Sequence, residues 1–157
     1  MYVSDAHLDQ VRYQGFTVVP GFLDKDELAA AQETLWLHYP RPDSYFADPD
    51  AHAWLNAHAF AGLKLFPFKA WTLNRIACHP DLVDAAERLL ESHELDLHKV
   101  ELRGKYSGVL HRGSDITVAG RSRFALLADY QVRGHPWAGN RSVDVSPLSQ
   151  STHVPHR

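Results

Sequence analysis

Cysteine is nearly absent from this chain: Cys78 stands alone among 157 residues. No internal disulfide framework can form, which suits a reducing compartment. Cys78 lies beside His79 at the edge of an apolar stretch and reads as a buried, inert thiol. No apolar run approaches the length of a membrane span. The first residues are polar and carry Asp5 and Asp9, without the apolar core of a secretion signal. A cytoplasmic location is the expectation. Charge of either sign is not in excess, the formal net charge being −3. Neither nucleic acid nor an anionic membrane is therefore expected as a partner.

What remains is an ordinary globular composition, 45% hydrophobic and 22% charged. A chain of this length fits one domain and can bury roughly 68–70% of its unfolded surface. The eleven histidines invite a metal hypothesis, but most sit at spacings without ligand logic.

Local signals come in a clear order. Asp5 to Tyr13 reads as an amphipathic helix with Leu8 and Val11 on one face, stopped by Gly15. Phe16 to Val19 reads as a strand closed by Pro20-Gly21. Asp24 and Glu27 have the spacing of a capping box, so a helix starts there and runs to about His38. The prolines from Pro40 to Pro49 mark a loop. Short helices are expected within Ala51–Gly62 and Ala70–Ala77, with an extended piece at Leu63–Phe68 between them. Pro80 opens a helix whose buried stripe is Leu82, Val83, Ala86, Leu89 and Leu90. Leu95 to Tyr106 reads as a strand. Leu95 and Leu97 are out of phase with Val100 and Leu102, which places a bulge near Lys99. Arg121 to Val132 is a second strand with Phe124, Leu126, Tyr130 and Val132 on one face. Trp36, Trp54 and Trp71 are read as core residues.

Two blocks resemble a known family. Gly15-Phe-Thr-Val-Val-Pro-Gly-Phe-Leu-Asp24 with its capped helix is similar to the opening of phytanoyl-CoA dioxygenase family proteins. The stretches Phe66-Pro-Phe68, Leu73-Asn-Arg75 and His79-Pro-Asp-Leu-Val83, and the strand ending in Lys105-Tyr106, continue the resemblance. The second block runs from Val109-Leu-His-Arg-Gly-Ser-Asp-Ile-Thr117 through Arg123-Phe124. It resembles the family's late iron-binding histidine and its 2-oxoglutarate arginine.

The family consists of non-haem Fe(II)/2-oxoglutarate oxygenases. They hold the metal with two histidines and a carboxylate and leave the opposite face open to 2-oxoglutarate and oxygen. The resemblance implies His111 as an iron ligand and Arg123, twelve residues later, as the 2-oxoglutarate anchor. An arginine fork suits a carboxylate. Arg121 is the fallback anchor, and Ser114 and Thr117 are secondary hydroxyl contacts.

The family's earlier His-x-Asp motif, which supplies the other two ligands, has no counterpart at its expected place. Tyr106-Ser-Gly108 runs directly into Val109, as if an internal segment had been deleted near residues 107–109. His7-Leu-Asp9 and His79-Pro-Asp81 match the triplet, but both fall at helices and read as structural. His153-Val-Pro-His156 is read as solvated tail.

The implied fold class is α+β, with N-terminal helices packed on a partial double-stranded β-helix (jelly roll, cupin-like) lacking its middle strands. Residues 1–138 form the domain and 139–157 a disordered tail. The implied activity is hydroxylation of a small organic or CoA-linked substrate with Fe(II) and 2-oxoglutarate, impaired by the missing ligands. The alternative is a non-catalytic remnant that binds a 2-oxo acid or another small molecule. Self-association through exposed strand edges is expected in either case.

Overall fold

The computed structural model describes residues 2–58, 60–107, 120–134 and 143–144. Among them are five α-helices, one 3-10 helix and a four-stranded antiparallel sheet, so the chain is α+β.

The helix starts follow their capping chemistry. In α1 (Asp5–Gln14), Ser4 caps the His7 N–H and the His7 ring returns the bond to the Ser4 N–H, while Gly15 ends the helix at φ 84°. In α2 (Lys25–Leu35), the Asp24 carboxylate accepts from the Glu27 N–H at 2.8 Å and Glu27 accepts from the Asp24 N–H at 3.2 Å. These reciprocal bonds occupy donors that a helix start otherwise leaves bare. The helix stops at Leu35, short of the expected His38. His38 and Tyr39 are held in turns on the Leu35 carbonyl.

The proline-rich stretch read as loop contains a further helix, α3 (Pro42–Ala47). Pro42 sits in its first turn, where a missing N–H costs nothing. The 3-10 helix follows at Asp50–Asn56. The expected strand at Phe16–Val19 does not form: Phe16 and Val18 are 64% and 69% exposed, and among the described residues no strand pairs with them. β-Branched residues favour extended backbone, but a strand needs a neighbour.

Strand β1 (Lys64–Leu65) leads through α4 (Trp71–Ala77) and α5 (Pro80–Leu90) to the long central strand β2 (Leu95–Tyr106). β2 pairs with β3 (Ser122–Val132) along its whole length. On its other edge it takes β1 and the two-residue strand β4 (Val143–Asp144). The register slips between Leu97 and Lys99, which is the expected bulge. β4 falls inside the stretch read as tail; the rest of 139–157 lies outside the described residues.

One core joins helices and sheet. Leu35, Tyr39, Tyr45, Phe68, Leu73 and Val83 pack against Leu95, Leu97, Val100, Leu102 and Tyr106. Tyr45 stacks on Tyr106 with ring centres 4.0 Å apart, and Trp36 meets Phe124 edge-on at 5.4 Å. A second small cluster of Val3, Leu8 and Ala85 seats α1 on α5. There Arg88 donates to the Val3 carbonyl at 2.8 Å and pairs with Asp84 and Asp5. Among the described residues, no helix is long and apolar enough to cross a membrane.

Candidate functional site

In an antiparallel ladder, residues directly opposite each other share a face, and the face alternates at every step. Gly104–Phe124, Leu102–Leu126 and Val100–Ala128 form one set of pairs, on the side that meets the helices. The other set is Lys105–Arg123, Arg103–Ala125, Glu101–Leu127 and Lys99–Asp129. On this side Arg123, Ala125, Leu127 and Asp129 are all exposed. The sheet therefore has one face covered by helices and one open face that is rich in cations.

Two of those cations, Lys99 and Arg103, converge on one carboxylate. Glu101 is only 5% exposed although it belongs to the open face, because Lys99 and Arg103 fold over it from either side. The Arg103 Nε–H donates to Glu101 at 2.8 Å, and the Lys99 ammonium is in direct contact with the other carboxylate oxygen. Burial alone would raise the Glu101 pKa. The hydrogen bonds from Lys99 and Arg103 outweigh it, so the carboxyl titrates below its ordinary value.

At the end of the same face Lys105 and Arg123 stand across the ladder from each other. Opposed residues in such a ladder have Cβ atoms about 4.5–5.5 Å apart. A guanidinium and an ammonium that close can bracket one carboxylate. Arg121, the fallback anchor, is exposed just before the strand, and its carbonyl accepts from the Ser107 N–H at 2.8 Å. The Ser107 hydroxyl in turn accepts from the Gly120 N–H at 2.9 Å, so these strand ends are tied together.

The expected iron ligand His111 and the hydroxyls of Ser114 and Thr117 lie outside the described residues, as do His153 and His156. Among the described residues, no group of three or more His, Cys, Asp or Glu side chains is placed to hold a metal ion. The two stray His-x-Asp triplets have structural work instead. His7 completes the capping box of α1, and the His79 ring accepts from the Asp81 N–H at 3.1 Å to cap α5. Cys78 is half-buried, and burial pushes its thiol pKa up, which keeps it protonated and unreactive at neutral pH.

Trp36 is half-buried and packs against the core, but Trp54 and Trp71 are 44% and 75% exposed. Their place in short helices at the margin of the domain leaves no second layer to cover them. Sequence reasoning also passed over Lys99, Glu101, Arg103 and Lys105. Their alternation in Lys99-Val-Glu-Leu-Arg-Gly-Lys105 was the available signal: charges at every second position mark one face of a strand.

The chain matches no family model, no curated protein and no solved structure.

Proposed function

We propose that this chain is a phytanoyl-CoA dioxygenase-like domain that binds a 2-oxo acid on its open sheet face. Arg123 takes the far carboxylate and Lys105 is the second cation. The observation that carries this reading is the Lys105–Arg123 pair at the end of the uncovered face. An arginine can hold a dicarboxylate only where no core packs over it, and Arg123 is exposed. The sheet would be the helix-backed half of a jelly roll, whose second sheet normally closes over this face.

Of the two groups that the resemblance implies, 2-oxoglutarate suits the residues present. A planar fork beside a flexible ammonium would match one carboxylate of the 2-oxo acid. Fe(II) does not find a ligand set among the described residues, and His111, the ligand that the resemblance implies, lies outside them. Binding, rather than hydroxylation, is the activity the geometry supports best.

The oxygenase reading is favoured by the order His111 then Arg123 in the chain. It needs two more ligands. Anaerobic Fe(II) titration and succinate release from 2-oxoglutarate test it, and silence in both removes it.

Titration calorimetry with 2-oxoglutarate tests the binding reading. Wild type should bind saturably, Arg123→Gln should lose about tenfold or more, and Arg121→Gln should lose little. An Arg123→Gln protein that folds and binds as well as wild type would overturn the assignment.

A further inference from the structure

A second candidate site lies away from the open sheet face, in a cavity of about 600 Å³ between α2, α4 and the start of α5. That is the size of an ordinary small-molecule pocket. Phe66, Trp71 and Ile76 supply apolar wall, and several polar groups also line it.

Most of those polar groups are committed to the fold. Both Asn74 amide groups are spent on the Phe68 backbone, each bond being 2.8 Å. Glu27 caps α2, and its other oxygen lies 3.9 Å from His79 Nε2. His79 caps α5. The half-buried Cys78 thiol stays neutral.

Asp26, Arg75, Trp71 and the Thr72 hydroxyl are left over. Asp26 and Arg75 both line the cavity, yet among the described residues neither makes an ion pair or a side-chain hydrogen bond, with each other or with anything else. Trp71 turns an indole that is 75% exposed to the same space.

An anion and a cation that face one apolar cavity without neutralising each other match a molecule with both charges. We propose that this cavity binds a free α-amino acid with an aromatic side chain. Asp26 receives the ammonium, Arg75 receives the carboxylate, and Trp71 and Phe66 take the ring. Aromatic pairs of this kind add to simple area burial. A peptide terminus would offer one of the two charges only, so the free amino acid is the better fit. The site is independent of Arg123.

The test is titration calorimetry on the intact chain with three probes: phenylalanine, its amide, which lacks the carboxylate, and its N-acetyl form, which lacks the ammonium. Phenylalanine should bind saturably and each analogue about tenfold more weakly, the usual worth of one charged contact. Asp26→Asn should erase the preference over the N-acetyl form. Arg75→Gln should erase the preference over the amide. Both side chains are exposed, so neither change threatens the core. Circular dichroism confirms the fold of each variant, and Arg123→Gln should leave all three affinities unchanged. Equal binding of the three probes, indifference to both variants, or no heat at millimolar phenylalanine overturns the proposal.

Discussion

Tyr39 lies flat over Gly104, so that a Cβ added to the glycine would come within 2.8 Å of two ring carbons of Tyr39 and 3.0 Å of Phe124. The glycine is needed there for space. The ring cannot retreat, because its hydroxyl sits 2.7 Å from the carbonyls of both Gly62 and Leu102 and shares its one proton between them. Gly104→Ala should therefore destabilise the domain by about 1–3 kcal/mol through overpacking. Chemical denaturation measures it, and a double-mutant cycle assigns the cause. In a Tyr39→Leu background the same alanine should cost much less; an unchanged cost would place the strain elsewhere.

Glu101 gives the fold a foothold in acid. Its carboxyl, although buried, is held below the ordinary value of 4.5 by Lys99 and Arg103. A carboxyl with a lowered folded pKa contributes stability that is complete above its unfolded pKa and disappears as pH falls through the folded one. Wild type should thus lose stability as pH drops from about 5 into the range below 4.5, more steeply than Glu101→Gln. At neutral pH the glutamine variant should be weaker by about 1–3 kcal/mol, because Lys99 and Arg103 lose a charged acceptor. Urea melts across that pH range decide it, and parallel curves for the two proteins would show that Glu101 is not the source.

His38 acts in the same direction at higher pH, for a different reason. Its Nε2 is sealed from solvent without a hydrogen-bond partner among the described residues. Burial, then the charges of Lys64 and Lys69, lower its pKa below 6.5. The unfolded chain accordingly takes up this proton first as pH falls, so stability should rise with pH between the folded value and 6.5. Titration of the His38 ring protons by NMR should give a midpoint below 6.5, and His38→Gln should flatten that part of the stability profile. A midpoint above 6.5 would mean that the ring has a carboxylate or water partner that holds the proton.

Much of the scaffold could be read from residue patterns because its causes are local. Asp24 and Glu27 announce their helix by mutual capping, Gly15 ends one by its left-handed backbone, and the phase break near Lys99 is a bulge visible in any register. Non-local causes stayed hidden. Val18 has the right side chain for a strand but, among the described residues, no strand to pair with. Pro42 looks like a breaker until the chain turns into a helix at that residue. For the candidate site, Arg123 was legible as a cation on a strand, whereas its partner Lys105 became apparent only once β2 and β3 were in register. Alternation separates two faces of a strand, but only packing says which one the helices cover.

That uncovered face also carries two exposed leucines, one on either side of Glu101. Leu65, Glu101 and Leu127 lie side by side across β1, β2 and β3, and the two leucines are 59% and 45% exposed. Among the described residues β3 pairs with β2 alone, and no strand is placed on its outer edge there. Exposed leucines beside a strand edge favour pairing between molecules. Sedimentation velocity should therefore detect self-association that grows with concentration. Leu127→Lys should reduce it, because each copy would bring a charge into the contact, while the fold is unaffected at so exposed a position. A protein that sediments as a monomer at every concentration, with or without the lysine, would mean that this face is shielded by some other part of the chain.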